Sequence, residues 1–209
     1  MPTSKKVPAK KNTPSVKIDK TQAVWIYSLF SEYDIDLFLV GKHFRLYNKM
    51  GSHLLEVEKT AGTYFAVWAP NAIKVSVVGN FNGWNRGSHT LYKRWDKSGI
   101  WEGFIPDVKK GEVYKYFVKG FDESEHEKGD PYARRWEHPP QTASIVWDTD
   151  YTWKDKSWLN KRAKLNALDQ PISVYEIHLG SWERDPGNPE RVLNCREIAT
   201  RLVPYVKDM

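Results

Sequence analysis

The run Val77-Val78-Gly79-Asn80-Phe81-Asn82-Gly83-Trp84-Asn85-Arg86-Gly87 sets one indole among three carboxamides. Those groups can do a definite kind of chemistry. A sugar ring has an apolar C–H face and a rim of hydroxyls, so an exposed indole stacks on the face while amides and ammonium groups bond the rim. Trp84 beside Asn80, Asn82 and Asn85 fits that description, and Lys115 in Tyr114-Lys115-Tyr116-Phe117-Val118-Lys119 could add an ammonium donor. A plainer reading stands beside it: Trp84 caps a hydrophobic core and Lys115 is simply solvated. Residue type alone leaves Trp84 evenly divided and favours solvation for Lys115.

Other constellations carry less. His126-Glu127-Lys128-Gly129-Asp130 begins like a zinc-protease motif but has Asp where the second His is needed. The acidic loop Asp122, Glu123, Glu125, Glu127 lacks the glycine and spacing of an EF-hand. No phosphate-binding glycine loop is present, and neither a metal nor any other cofactor is expected. Cys195, the only cysteine, reads as a small packing residue at the start of a helix. Its solitude excludes an intramolecular disulfide and fits a reducing cytoplasm. Glu176 and His178 would share one face of a strand, either as an acid–base pair or, with more weight, as polar anchors inside a barrel strand.

The formal net charge of +6 would point to nucleic acid if it were spread over the chain. It is not: Lys5, Lys6, Lys10, Lys11 and Lys17 supply five of those charges, and residues 1–17 hold no acid. A disordered, solubilising tail is expected there. No nucleic-acid partner is expected, and no membrane partner either, because no run reaches spanning length.

The elements that must position these residues change character along the chain. Ser28 to Leu39 has the 3–4 spacing of a short helix ending near Gly41. From Thr63 the segments Thr63–Ala69, Lys74–Gly79, Gly99–Pro106, Tyr114–Gly120 and Thr142–Trp147 are short, rich in β-branched and aromatic residues, and divided by Gly, Pro, Asn and Asp. This pattern predicts a β-sandwich, with Tyr114, Tyr116 and Val118 on its inner face and Lys115 on the other. Residues 148–171 read as a charged linker with at most a turn of helix. Ile172–Gly180 reads as a strand, and Glu190–Met209 as a helix with Ile198, Leu202, Val206 and Met209 on one face, kinked or broken at Pro204. A strand and helix alone open a βαβ unit without partners, so the sequence reads as truncated.

Several separated motifs resemble known families in the same order. Val67-Trp68-Ala69-Pro70-Asn71-Ala72, then Val75 to Trp84, then Gly111-Glu112-Val113-Tyr114-Lys115-Tyr116, then Asp130-Pro131-Tyr132-Ala133 resemble a family 48 carbohydrate-binding module. Such modules precede the catalytic barrel of glycogen and starch branching and debranching enzymes, and a related one is the glycogen-binding part of AMP-activated kinase. Val174-Tyr175-Glu176-Ile177-His178-Leu179-Gly180-Ser181-Trp182 resembles the first barrel strand of the α-amylase superfamily, in the form found in 1,4-α-glucan branching enzymes. Arg196-Glu197-Ile198-Ala199 and Leu202-Val203-Pro204-Tyr205 continue that likeness.

The resemblance implies a mainly β chain: an immunoglobulin-like sandwich followed by the first strand and helix of a truncated (β/α)8 barrel. Together with composition and pattern it gives a basic tail over 1–17, a mixed helical segment over 18–58, the module over 59–147, a linker over 148–171 and the barrel's beginning over 172–209. Trp84 and Lys115 stand where the family's sugar-contacting Trp and Lys stand. Asn82 joins them, and Phe121 follows Gly120 where the kinase-type module has another Trp. The implied partners are α-1,4-glucan (glycogen and maltooligosaccharides) and a catalytic barrel not contained in these residues. The parent enzyme would cleave an α-1,4 bond, hold the glucosyl unit on an Asp and pass it to a 6-hydroxyl, a retaining transfer. A complete barrel takes about 250 residues and its acid motifs are absent here, so no active site is expected in this chain. A stand-alone glucan-binding or regulatory module, and part of a debranching relative, are the alternatives.

Overall fold

Thr63-Tyr64-Phe65-Ala66-Val67 is apolar or aromatic at nearly every position, as in a strand covered on both faces. The computed structural model describes residues 18–209, so the basic tail lies outside the described residues. The chain divides into two units, the first ending at Asp150 and the second spanning Tyr151–Met209.

The first unit is a β-sandwich. Its strands are β1 (Gly51–Val57), β2 (Thr60–Trp68), β3 (Ala72–Gly79), β4 (Tyr92–Lys93), β5 (Ile100–Pro106), β6 (Val113–Gly120), β7 (Glu125–Lys128), β8 (Arg135–Trp136) and β9 (Ser144–Ile145). One sheet runs β1-β2-β5-β4 and the other β3-β6-β9-β8, with β7 also paired to β6. Phe65, Val67, Trp101 and Ile105 of the first sheet meet Val75, Val77, Tyr114 and Tyr116 of the second. Tyr114 and Tyr116 are buried and Val118 packs against the same core, so the alternation read along β6 holds.

The other face of the first sheet is also covered. Tyr64, Ala66, Ile100 and Phe104 pack against Trp25, Phe30, Ile35 and Met50. Trp25 joins the sheet edge, donating its N–H to the Phe104 carbonyl at 2.7 Å and accepting the Phe104 N–H at 3.0 Å. Helix α1 (Glu32–Leu39) is fixed by a capping box between Ser31 and Asp34. The mixed segment expected over 18–58 therefore supplies both β1 and the cover of one sheet face. Left bare, Tyr64 and Phe104 would each expose a large aromatic surface, at about 25 cal/mol per Å².

Beneath that cover lies a buried polar group. Glu102 accepts hydrogen bonds from the Tyr64 hydroxyl at 2.5 Å and the Ser28 hydroxyl at 2.9 Å, and pairs with the Arg94 guanidinium. Arg94 also pairs with Asp96 at 2.7 Å. Burial pushes the Glu102 carboxyl up, against the pull of Arg94 and the hydroxyls. Asp130, of the Asp-Pro-Tyr-Ala motif, is likewise buried. It accepts from Tyr114 at 2.6 Å, Tyr116 at 3.3 Å and the Tyr132 N–H at 2.8 Å, so the motif ties the following loop to the core.

The second unit contains α2 (Lys156–Leu165), α3 (Leu179–Trp182), β10 (Arg184–Asp185), β11 (Asn188–Val192) and α4 (Cys195–Asp208). Six expectations need correction here. The expected linker carries a ten-residue helix, α2. Ile172–Gly180 forms no strand, because no neighbour among the described residues offers its amides and carbonyls a ladder, and from Leu179 it turns into α3. The helix expected from Glu190 begins at Cys195, since Asn188–Val192 pairs with β10 and Asn194 caps α4 through the N–H groups of Arg196 and Glu197. It also continues through Pro204 to Asp208, so of the kink or break expected there, the break does not occur. Cys195 is exposed, not a packing residue. With no strand, the alternation that would align Glu176 with His178 is absent, and His178 instead lies 3.1 Å from the Ser181 hydroxyl. Among the described residues, no helix is long and apolar enough to cross a membrane.

Candidate functional site

The loop after β3 is closed by its own backbone. Gly79 ends the strand, Asn80–Asn82 make one 3-10 turn, and Gly83 follows in the left-handed region at φ 60°. The Trp84 N–H reaches back to the Gly79 carbonyl at 2.9 Å and the Gly83 N–H to the Asn80 carbonyl at 3.3 Å, the double closure of a helix end. The hairpin is completed further on, where the Val77 N–H bonds His89 O and the Leu91 N–H bonds Val75 O, both at 2.9 Å. The Asn-Gly pair thus ends a helical turn inside a longer loop rather than forming a two-residue hairpin.

Trp84 itself adopts φ 60°. For a bulky side chain this is a strained backbone, costing on the order of 1–3 kcal/mol, and such strain is concentrated at functional positions. Its indole N–H donates to Asn80 Oδ1 at 3.0 Å, which fixes the ring's edge. The ring is partly buried but belongs to neither core cluster; Phe81 is the aromatic of this loop that packs on the core.

Asn82 serves the loop. Its Oδ1 accepts the Gly79 N–H at 3.0 Å, while its Nδ2 donates to Val77 O at 2.9 Å and lies 2.9 Å from His89 Nδ1. Asn80 and Asn85 are exposed, and the bonds their side chains make within the chain engage Oδ1. Their NH2 groups are the amide donors that a ligand could use.

Lys115 pairs across the ladder with Val78, and Tyr114 with Gly79, so Lys115 lies at the same end of the β3–β6 pair as the Trp84 loop. Its ammonium donates to the Thr142 hydroxyl at 2.9 Å. The structure therefore brings Trp84, Asn82 and Lys115 to one end of the sheet. It does not bring Phe121 there. Ala72 pairs with Gly120, so Phe121 begins at the opposite end, about 20 Å away at the usual rise per residue. Phe121 is 68% exposed, with the Lys93 ammonium 5.9 Å from its ring centre. It borders an open groove of about 470 Å³ lined also by Pro70, Asn71, Asp122, Ser124 and His126.

Sequence reasoning missed the Thr142 hydroxyl beside Lys115 and the Asn80–indole bond. The first joins residues distant in sequence and leaves no local pattern. The second was within reach, because an Asn four residues before the Trp, across a turn glycine, is spaced to meet it.

Residues 49–133 match carbohydrate-binding module 48 (isoamylase N-terminal domain). Along most of its length the chain is similar to proteins named as branching enzymes. It is 48% identical over 183 residues to the 1,4-alpha-glucan branching enzyme GlgB of Aquifex aeolicus, covering 88% of this chain and 29% of that protein. It is 47% identical over 183 residues to the enzyme of the same name from Gloeobacter violaceus, covering 87% and 25%. The chain thus spans less than a third of the length of these relatives. Ligand-free PulA from Klebsiella pneumoniae overlaps 48% of this chain and 10% of its own at 26% identity, with a TM-score of 0.40. At that score the fold assignment rests on the sheets themselves.

Proposed function

We propose that this chain is the N-terminal, glucan-holding part of a cytoplasmic 1,4-α-glucan branching enzyme. In this reading the parent enzyme makes α-1,6 branches in α-1,4-glucan by retaining glycosyl transfer, with its acid, nucleophile and supporting Asp on barrel strands beyond these residues. The module occupies residues 59–147 together with the β1 and Trp25 cover, and the parts from residue 172 belong with the catalytic barrel. Glucan is the partner; nucleic acid and membrane are not.

The observation that carries the reading is Trp84: a bulky ring kept at a strained backbone angle, outside the core, at the same sheet end as Lys115. The indole stacks on a glucose ring, the Lys115 ammonium and the amides of Asn80 and Asn85 bond hydroxyls, and Asn82 holds the loop in shape. Phe121 acts apart from this set.

Trp84→Ala should weaken maltoheptaose binding by about fivefold, matching roughly 1 kcal/mol for one lost aromatic stack. Calorimetric titration reads the affinity and thermal melting reads the fold. Little change in melting is expected, because the ring lies outside both core clusters. A folded variant with unchanged affinity would overturn the assignment and leave a module that only packs on its barrel. A loss of roughly 3–5 kcal/mol in stability would mark Trp84 as core instead.

A further inference from the structure

The second sheet ends in β8, a two-residue strand at its free edge, and Trp136 is one of those two residues. The side chain is 46% exposed and belongs to neither core cluster. Packing of the sandwich does not require it.

Its ring nonetheless has a fixed place. A Cβ added at Gly129 would lie 2.2 Å from Trp136 Cζ3, 2.4 Å from Cη2 and 3.4 Å from the Thr142 carbonyl. The indole therefore lies against the bare backbone of Gly129, next to Thr142. Thr142 is the residue whose hydroxyl takes the Lys115 ammonium. Gly129 thus neighbours both the Trp136 ring and the Thr142 carbonyl, Thr142 bonds Lys115, and Lys115 pairs with the residue just before the Gly79 that anchors Trp84.

We propose that Trp136 is a second aromatic platform of this site, stacking on a sugar unit further along the chain than the one held by Trp84. The proposal rests on the glucan-binding reading and extends it. One ring holds one sugar face, whereas two rings flanking a lysine and a hydroxyl select a linear oligosaccharide over a mono- or disaccharide. Glycine at 129 is what admits the ring, since any larger residue would displace it. Phe121, at the far end of the sheet, cannot serve the same stretch of a short ligand.

The test compares maltose, maltotriose and maltoheptaose binding to the 209-residue chain, Trp136→Ala, Trp136→Phe and Trp84→Ala by calorimetric titration, with melting temperatures alongside. Trp136→Ala should leave maltose affinity unchanged and lower maltoheptaose affinity by about fivefold, removing the gain with length. Trp136→Phe keeps a smaller ring over Gly129 and should fall between the two. If the alanine variant fails to fold, the phenylalanine variant decides: a loss confined to the longer ligand supports the proposal, and wild-type affinity overturns it. Maltoheptaose affinity unchanged at Trp136 but weakened in Trp84→Ala would sink this inference and leave the glucan reading standing. Unchanged affinity in all variants, or no binding by the parent chain, would sink the glucan reading itself.

Discussion

Arg94→Met should lower the stability of the sandwich by about 3–5 kcal/mol, the cost of leaving a buried charge without its partner. The Arg94 side chain is 3% exposed and that of Glu102 7%. Without the guanidinium, Glu102 keeps only the hydroxyls of Tyr64 and Ser28, neither of which carries charge. The effect should reach beyond the pair, because Arg94 also bonds the Ser28 hydroxyl at 2.6 Å and so ties the covering segment to the sheet. Removing both charges in Arg94→Met with Glu102→Gln should recover much of the loss, since a pair replaced by neutral groups leaves no stranded ion. Urea unfolding of the single and double variants measures this. A single variant within about 1 kcal/mol of the parent would mean that water reaches Glu102, contrary to the burial seen.

Gly79→Ala should damage fold and site together. At φ −177° the backbone there suits any residue, so the cost is purely steric. The new methyl would meet the Val113 carbonyl at 2.2 Å and Phe81 Cε1 at 2.8 Å. The first is backbone of β6, and moving it disturbs the strand that carries Lys115. Gly79 also accepts the Trp84 N–H and donates to Asn82, so the loop loses its anchor. A stability loss of about 1–3 kcal/mol is expected from overpacking. Maltoheptaose affinity should fall at least as far as in Trp84→Ala, measured well below the variant's melting temperature. Parent-like affinity would separate the loop's geometry from binding.

What could be read beforehand follows physical lines. The alternation of Tyr114, Lys115 and Tyr116 is set by a two-residue period, so the core face of β6 was visible in the residues alone. The double cover of the first sheet was not. Trp25 bonds Phe104 across 79 positions, and no local period records such a pairing. The burial of Arg94 and Glu102 likewise leaves no local pattern in the sequence. Phe121 joins Trp84 in the sequence reading because it follows Gly120 where the kinase-type module has another Trp. Antiparallel pairing instead sets Gly79 beside Tyr114 and Gly120 beside Ala72, which sends the two aromatics to opposite ends. Ile172–Gly180 has a strand's composition, yet a strand exists only in a ladder, and composition does not supply the neighbour.

The central claim is that glucan meets the Trp84–Lys115 end of the sandwich. Nitrogen-15 correlation spectra of the labelled chain during a maltoheptaose titration test it most directly. Shifts should concentrate on Asn80 to Arg86, Val113 to Lys115, Thr142 and the Trp84 indole N–H, and should saturate with a single affinity. Shifts confined to Asn71, Phe121, Asp122 and Ser124 around the opposite groove, or no shifts at saturating ligand, would contradict it.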